Sequence, residues 1–123
     1  MKYLSKLVLL FVLTSCDTES SVIQFQNEKI PVSIAQDFKM VYTDSTITKS
    51  IISGKFHYDY SNDELNYSEF YENVELIIFD ENKTSTINSD YAIVFNKYKF
   101  IEFSGNVNIM TSDNEFLKSN KLY

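Results

Sequence analysis

The sequence predicts an all-β fold, built as an antiparallel meander. It contains 9 Tyr and 10 Phe but no Trp, 2 Gly and 1 Pro. Aromatic residues favour strands, and with so little Gly and Pro the turns would rely on Asn, Asp and Ser. From Phe38 onwards, apolar residues alternate with polar ones, which is the period of a strand. No segment shows helical periodicity, so a sheet must hide its apolar face by curling or by binding a partner.

The first clear strand is predicted to begin at Phe38, with Phe38, Met40 and Tyr42 on one face, and to end at a turn over residues 44–45. Residues 46–60 follow as two strand pieces. Gly54 lies between these pieces and predicts a bulge or bend.

A turn at residues 61–64 precedes a short strand over 65–70. Residues 74–79 form the most apolar strand, which we expect to be buried on both faces for part of its length. The remaining strands are predicted at residues 84–87, 91–95, 100–103, 107–109 and 116–123. Turns would separate the elements from residue 74 onwards at 80–83, 88–90, 96–98, 105–106 and 112–114.

A short internal repeat runs through this region. Asn73-Val74-x-Leu76 recurs as Asn106-Val107-x-Ile109, and an aspartate follows each copy at the same distance. Stacked units of this kind give an extended sheet in place of a closed globule. Chance similarity between hairpins is the alternative.

The N-terminus has the features of a bacterial lipoprotein signal peptide. Lys2 and Lys6 precede an unbroken apolar run at residues 7–13, and small residues lead to Cys16, the only cysteine. The run is far shorter than the roughly 20 residues of a membrane-spanning helix. A buried N-terminal helix is the alternative.

This pattern predicts three parts of the chain. Residues 1–15 would be the signal peptide, residues 16–37 the lipidated Cys16 with a tether, and residues 38–123 a single β domain. Asp17, directly after the cysteine, resembles a signal for retention at the inner membrane.

The charge of the processed chain excludes nucleic acid as a partner. Removal of residues 1–15 leaves 9 Lys against 17 acidic residues, and there is no Arg to clamp a phosphate. With Cys16 committed to the anchor, no cysteine remains for a disulfide, a thiolate nucleophile or a zinc site.

No motif predicts catalysis, a metal site or a cofactor. His57 is the only histidine and is expected to be an ordinary solvent-facing strand residue. Asp59, Ser61 and Asp63 have the spacing of a calcium loop but lack its glycine and glutamate, so we expect a solvated turn. The chain is therefore predicted not to be an enzyme.

Apolar residues at alternating strand positions are the candidate binding residues. They could pack as a core, or they could line a groove for acyl chains at about 0.8 kcal/mol per buried methylene, and periodicity alone does not choose. Phe56 and Tyr58 belong to the same alternating pattern. The groove candidates are Phe38, Met40, Tyr42, Val74, Leu76, Ile78, Ile93, Phe95, Ile101, Phe103, Val107 and Ile109.

Six short motifs occur in a recognisable order between residues 38 and 123. They are Phe38-Lys39-Met40-Val41-Tyr42-Thr43-Asp44-Ser45, Asn73-Val74-Glu75-Leu76, Phe79-Asp80-Glu81-Asn82, Ser89-Asp90-Tyr91-Ala92, Ser104-Gly105-Asn106-Val107 and Phe116-Leu117-Lys118-Ser119-Asn120-Lys121-Leu122-Tyr123. This succession resembles the LptC family, periplasmic components of the lipopolysaccharide export machinery.

The resemblance implies an open, twisted β-jellyroll whose groove accepts the acyl chains of lipopolysaccharide. It implies that an inner-membrane ABC transporter supplies the cargo, that a periplasmic bridge protein of the same fold receives it, and that the chain itself performs no catalysis. Better-known members carry a membrane-spanning helix where this chain would carry a lipid on Cys16. The chain also stops at Tyr123, inside a motif that leads into further strands in the family, which would fit a truncated C-terminus.

The implied location is the periplasmic face of the inner membrane, with the domain held by its lipid. Two other functions remain open at this point. An envelope lipoprotein that binds a protein or polysaccharide would have a closed sandwich with buried aromatic residues, and an envelope hydrolase would need a constellation around His57 or the turn acids.

Overall fold

The computed structural model describes residues 28–123, which form six β-strands. The predicted signal peptide, the lipidation site Cys16 and most of the predicted tether lie outside the described residues. No helix in residues 28–123 has the length and apolarity needed to cross a membrane. The strands are β1 (Ser33–Asp44), β2 (Ile47–Tyr60), β3 (Tyr67–Asp80), β4 (Lys83–Phe95), β5 (Phe100–Thr111) and β6 (Phe116–Leu122).

All six strands belong to one antiparallel sheet in the order β1-β2-β3-β4-β5-β6. Among the strands that the structure describes, β1 and β6 each have a neighbour on one side only, so the sheet is open. This confirms the predicted all-β, jellyroll-like meander and contradicts the closed sandwich that the second function required. β1 begins at Ser33, ahead of the predicted start at Phe38, so residues 33–37 belong to the sheet.

Tight turns of polar residues join the strands where the sequence predicts them. Ser45 and Thr46 between β1 and β2, Glu81 between β3 and β4, and Asn114 between β5 and β6 have left-handed backbone angles, with φ of 49°, 70°, 45° and 62°. Hairpin turns commonly need this conformation, and asparagine adopts it at lower cost than most residues.

Two predicted turns, at residues 88–90 and 105–106, are wrong, and so is the break between residues 70 and 74. The strands run through these positions, and the chain forms bulges there. The pairing register shifts between Ser53 and Phe56, Tyr71 and Val74, Asn88 and Tyr91, and Ser104 and Val107. Asn, Asp, Ser and Gly suit a bulge as well as a turn, because both need strained or left-handed backbone.

These register shifts lie side by side and form a row across the sheet, which we call the bulge row. Val74 and Ala92, on either side of it, are both 0% exposed. A single flat layer cannot bury a side chain completely, so the sheet bends along the bulge row and closes over these residues. The buried cluster in the bend consists of Phe70, Val74, Ile87, Ala92, Phe103 and Val107.

Gly54 lies within the bulge row, which confirms the predicted bulge. The ring of Phe38 lies over it, since a Cβ on Gly54 would be 3.0 Å from Phe38 Cε1. The missing side chain lets Phe38 reach across β2 to Phe70 on β3, with ring centroids 5.4 Å apart. Gly54 thus allows an edge strand to contact the buried cluster.

The internal repeat marks equivalent bulges in β3 and β5. Asn73 and Asn106 are both left-handed, with φ of 54° and 48°, and each directly precedes a buried valine. The expectation that residues 74–79 are buried on both faces is wrong, because only Val74 in this stretch is buried. The bend covers β3 at its bulge and leaves the rest of the segment partly open.

Candidate functional site

The face of the sheet that carries the buried cluster, here called the inner face, holds a continuous row of apolar side chains. Paired residues in an antiparallel sheet point to the same side, so the pairing register defines this row. Each strand contributes one aliphatic or methionine side chain, and the row contains no charge. This apolar row consists of Met40, Ile52, Leu76, Ile87, Ile109 and Leu117.

A second inner row lies on the other side of the bulge row. It is closed at its centre, where Phe70, Ala92 and Phe103 are buried, and it includes the only histidine. The bend places this row beside the apolar row, and members of both rows pack in one cluster. The second row consists of Ala35, His57, Phe70, Ala92, Phe103 and Leu122.

The apolar row is buried in its middle and open at both edges of the sheet. Ile87 in β4 is buried, whereas Met40 in β1 and Leu117 in β6 are 42% and 55% exposed. The next inner row outward, which includes Tyr42 and Ile78, is also uncharged. The result is an uncharged strip, apolar along the apolar row itself, that crosses the sheet from one free edge to the other.

The structure places ten of the twelve groove candidates on the inner face and two on the opposite, outer face. Ile93 pairs with Glu69 and Glu102, and Phe95 pairs with Tyr67, all on the outer face. Phe56 and Tyr58 also lie there. The inner ten are Phe38, Met40, Tyr42, Val74, Leu76, Ile78, Ile101, Phe103, Val107 and Ile109.

The bulge in β4 explains why the sequence pattern assigned Ile93 and Phe95 to the groove together with the ten inner candidates. It changes the phase of the alternation, so that Ala92 and Val94 point inward after Ile87 and Ser89. In residues 91–95 both alternating sets of positions are apolar, so periodicity could not show which set points inward. The same ambiguity hid Ile52, which follows Ile51, as a member of the apolar row.

His57 is not the solvent-facing residue that we expected. Its ring stacks on Phe70 with centroids 4.9 Å apart, and Phe38 lies 5.7 Å away. Its Nε2 atom is buried and has no hydrogen-bond partner among residues 28–123. Burial lowers the pKa of His57, and the negative charge of Asp59 opposes this in part.

The buried imidazole should make stability depend on pH. Because its pKa is lowered on folding, the unfolded chain takes up the proton first, and stability present above about pH 6.5 is lost as pH falls through the folded pKa. Because phenylalanine has no group to protonate, we expect His57→Phe to flatten this dependence of stability on pH. Urea unfolding of both proteins over this pH range measures the difference. Parallel pH profiles would contradict the prediction.

The outer face carries a cluster of aromatic residues around one carboxylate. The hydroxyls of Tyr71 and Tyr91 donate to the two oxygens of Glu69, each over 2.9 Å. Burial first, and the hydrogen bond to Glu69 second, raise the pKa of both tyrosines, so both stay neutral at physiological pH. Tyr71 also contacts Tyr58 edge to face. The two faces therefore differ in chemistry, with aliphatic residues dominating the apolar row and tyrosines the outer face.

The acidic turn after β2 uses its carboxylates in local contacts. Asp59 accepts a hydrogen bond from the backbone of Ser61, and Asp63 accepts one from Leu65 and pairs with Lys29 at 2.9 Å. The hydrogen bond from the backbone of Leu65 first, and the contact with Lys29 second, lower the pKa of Asp63. Within residues 28–123, no three His, Cys, Asp or Glu residues are arranged to hold a metal ion.

A family model described as "Lipopolysaccharide-assembly, LptC-related" matches residues 7–122, nearly the whole chain. The chain belongs to the LptC family. The resemblance inferred from the order of the motifs is thereby confirmed. As an LptC-family member the chain has a role in lipopolysaccharide transport in the cell envelope, and its family is one of binding and transport components. A comparison with curated proteins found no match.

Proposed function

We propose that this LptC-family protein binds the acyl chains of lipopolysaccharide on its inner face. The observation that carries the proposal is the apolar row, which runs across all six strands without a charged residue and is open at both edges. Strands lie about 4.8 Å apart, so five spacings extend the row over roughly 24 Å. Acyl chains laid along it would gain about 0.8 kcal/mol for each methylene removed from water.

The two free edges are the proposed contacts with the rest of the export machinery. Unpaired edge strands expose backbone donors and acceptors, and a partner strand can extend the sheet by pairing with them. We assign one edge to the inner-membrane ABC transporter that delivers the cargo and the other to the periplasmic bridge protein that receives it. The energy would come from the transporter's ATPase, with no catalysis by this chain.

A lipid on Cys16 is the proposed membrane attachment. It would hold the domain at the periplasmic face of the inner membrane, where lipopolysaccharide leaves the bilayer. Loss of membrane retention after Cys16→Ser, measured by fractionation of cells, tests this part separately from the binding face.

Site-specific photo-crosslinking tests the binding face. Leu117 and Phe116 are sequence neighbours with nearly equal exposure, 55% and 56%, but Leu117 belongs to the apolar row and Phe116 pairs with Met110 on the outer face. We expect a photoreactive amino acid at position 117 to crosslink to lipopolysaccharide at least about fivefold more than one at position 116, because the two positions differ in face and not in access.

Met40 and Val41 on β1 form a second matched pair at the opposite edge, with 42% and 52% exposure. Position 40 should crosslink and position 41 should not. These exposed positions suit the test better than Leu76 or Ile109, which pack against the buried cluster and would destabilise the domain if changed. Equal crosslinking from both faces would exclude the inner face as the binding site.

A further inference from the structure

The outer face of the sheet has a depression that the proposed acyl-chain site does not use. It has a volume of about 380 Å³ and is lined by four aromatic residues and one carboxylate, and we call it the aromatic depression. Three of the rings come from alternate residues of β2, and the fourth comes from β3. The lining residues are Phe56, Tyr58, Tyr60, Tyr71 and Glu72.

The rings of the aromatic depression stand at different angles and keep accessible surface. Tyr58 and Tyr71 meet edge to face, with ring centroids 5.4 Å apart and planes at 81°. The ring of Phe56 lies 6.5 Å from that of Tyr58 and is tilted by 49°. Tyr71 is 37% exposed, and the lining residues of β2 are half-buried. A group bound in the depression would therefore contact more than one ring.

Negative charge lies at the aromatic depression without a cation to balance it. Glu72 lines the depression, and Glu69 pairs with Tyr58 on the same face of the sheet. Neither glutamate forms an ion pair with a lysine of residues 28–123. The faces of aromatic rings are electron-rich and add to this negative potential. The chemistry of the depression thus favours a positively charged occupant.

Elsewhere on the sheet, the chain's own lysines cover aromatic rings. Lys29 Nζ lies 5.1 Å from the centre of the Tyr67 ring, which stacks on Tyr60. Three further lysines lie at 5.7, 5.6 and 5.2 Å from ring centres, over Tyr98, Phe116 and Tyr123. Among residues 28–123, no lysine lies over a ring of the aromatic depression. The rings beside the two unbalanced carboxylates are therefore available to a cation from outside.

The hydrogen bonds of the carboxylates indicate which kind of cation fits. Each oxygen of Glu69 already accepts a tyrosine hydroxyl at 2.9 Å, from Tyr71 and from Tyr91. Ring faces accept hydrogen bonds only weakly, so a primary ammonium would give up its hydrogen bonds to water for little more than a contact with Glu72. A quaternary ammonium has no N–H to satisfy and contacts rings through its methyl groups.

We propose that the aromatic depression binds the quaternary ammonium group of a small molecule. Phe56, Tyr58 and Tyr71 contact the methyl groups, and Glu69 and Glu72 balance the charge. The site lies on the outer face, so an occupant leaves the apolar row of the inner face free. The proposal goes beyond the proposed function and does not depend on acyl-chain binding.

Titration of the full chain with choline tests the site, followed by saturation-transfer NMR of the ligand. We expect a Kd of about 1 mM, because contacts of a cation with partly exposed rings are individually weak. Dimethylbutanol, in which an uncharged tert-butyl group replaces the trimethylammonium group, is the matched ligand and should bind at least about tenfold more weakly. A lysine amide, which offers a primary ammonium, should bind at least about fivefold more weakly than choline.

Two variants test the residues of the site, and each has a matched control. Tyr58→Leu keeps an apolar side chain but removes a ring, and it should weaken choline binding at least about fivefold. Glu72→Gln removes one charge and should weaken it about threefold. Tyr98→Leu and Glu75→Gln change an exposed tyrosine and an outer-face glutamate that do not line the depression, and both should leave choline binding unchanged.

Circular dichroism of each variant shows whether it is folded, and Glu72→Gln carries the test if Tyr58→Leu is not. Equal affinity for choline and dimethylbutanol would overturn the proposal, because charge would then play no part. Unchanged choline binding by the folded variants would overturn it as well. Tighter binding of the lysine amide than of choline would assign the depression to a lysine side chain and would also overturn it.

Discussion

Replacing Phe103 with alanine is expected to lower the free energy of unfolding by about 3–5 kcal/mol. Phe103 is 1% exposed and lies in the bend, within the buried cluster. The described part of the chain forms a single bent sheet, without a second layer that could collapse into the cavity left by the ring. Since small domains are stable by about 5–15 kcal/mol, much of the folded state should be lost at moderate urea concentrations. Urea unfolding followed by circular dichroism measures this.

Phe116→Ala is the matched control for this variant. Phe116 is 56% exposed on the outer face near the free edge, so its loss should cost less than about 1 kcal/mol. The contrast depends on the bend, because in a flat single layer both rings would be exposed on one side. Similar losses for the two variants would contradict a sheet that closes over Phe103.

Gly105→Ala is the second variant with a large expected effect, a loss of about 2–5 kcal/mol in the free energy of unfolding. Gly105 has a left-handed φ of 79°, which costs an alanine about 1–2 kcal/mol. In addition, a Cβ there would lie 2.8 Å from Oδ2 and 2.9 Å from Cβ of Asp90, and crowding of this kind costs about 1–3 kcal/mol. Asn106 holds that carboxylate with a 2.7 Å hydrogen bond, so Asp90 cannot move without losing it.

Gly54→Ala separates the bulge geometry from a general effect of glycine replacement. Gly54 also lies in the bulge row, but its φ is not left-handed, and the contact of an added Cβ would be with the end of the Phe38 ring at 3.0 Å. That ring can rotate, so the expected loss is about 1 kcal/mol. Thermal and urea unfolding of both variants give the comparison. A loss at Gly54 equal to that at Gly105 would refute the assignment of the cost to backbone strain and Asp90.

The elements that could be predicted are those with a local cause. The hairpin turns after β1, β3 and β5 were predicted from their clusters of Asp, Asn and Ser, and the bulge at Gly54 from a glycine inside a strand pattern. Residues 88–90 show that local composition alone does not separate a turn from a bulge. Asn88-Ser89-Asp90 has the composition of a turn, yet Asn88 pairs with Asn108 and the strand continues to Phe95.

The candidate site could be predicted only in part, for a related reason. Alternation placed Leu76 with Val74 and Ile109 with Val107, because each pair lies on one side of a bulge. It failed for Ile93 and Phe95, which follow the bulge in β4. His57 was also assigned to the wrong face. The aromatic residues Phe56 and Tyr58 on either side of it suggested that they point inward, whereas the inward residue is His57.

The sequence by itself determined the class of fold, the order of the strands along the chain and the LptC family, because composition, period-two alternation and motif order are properties of short segments. Only the tertiary structure decided that the turn-like segments at 88–90 and 105–106 are bulges, that these align into one row, and that the sheet bends along it. The physical reason is that a bulge changes which residues face inward, and the pairing of the neighbouring strands decides where it forms.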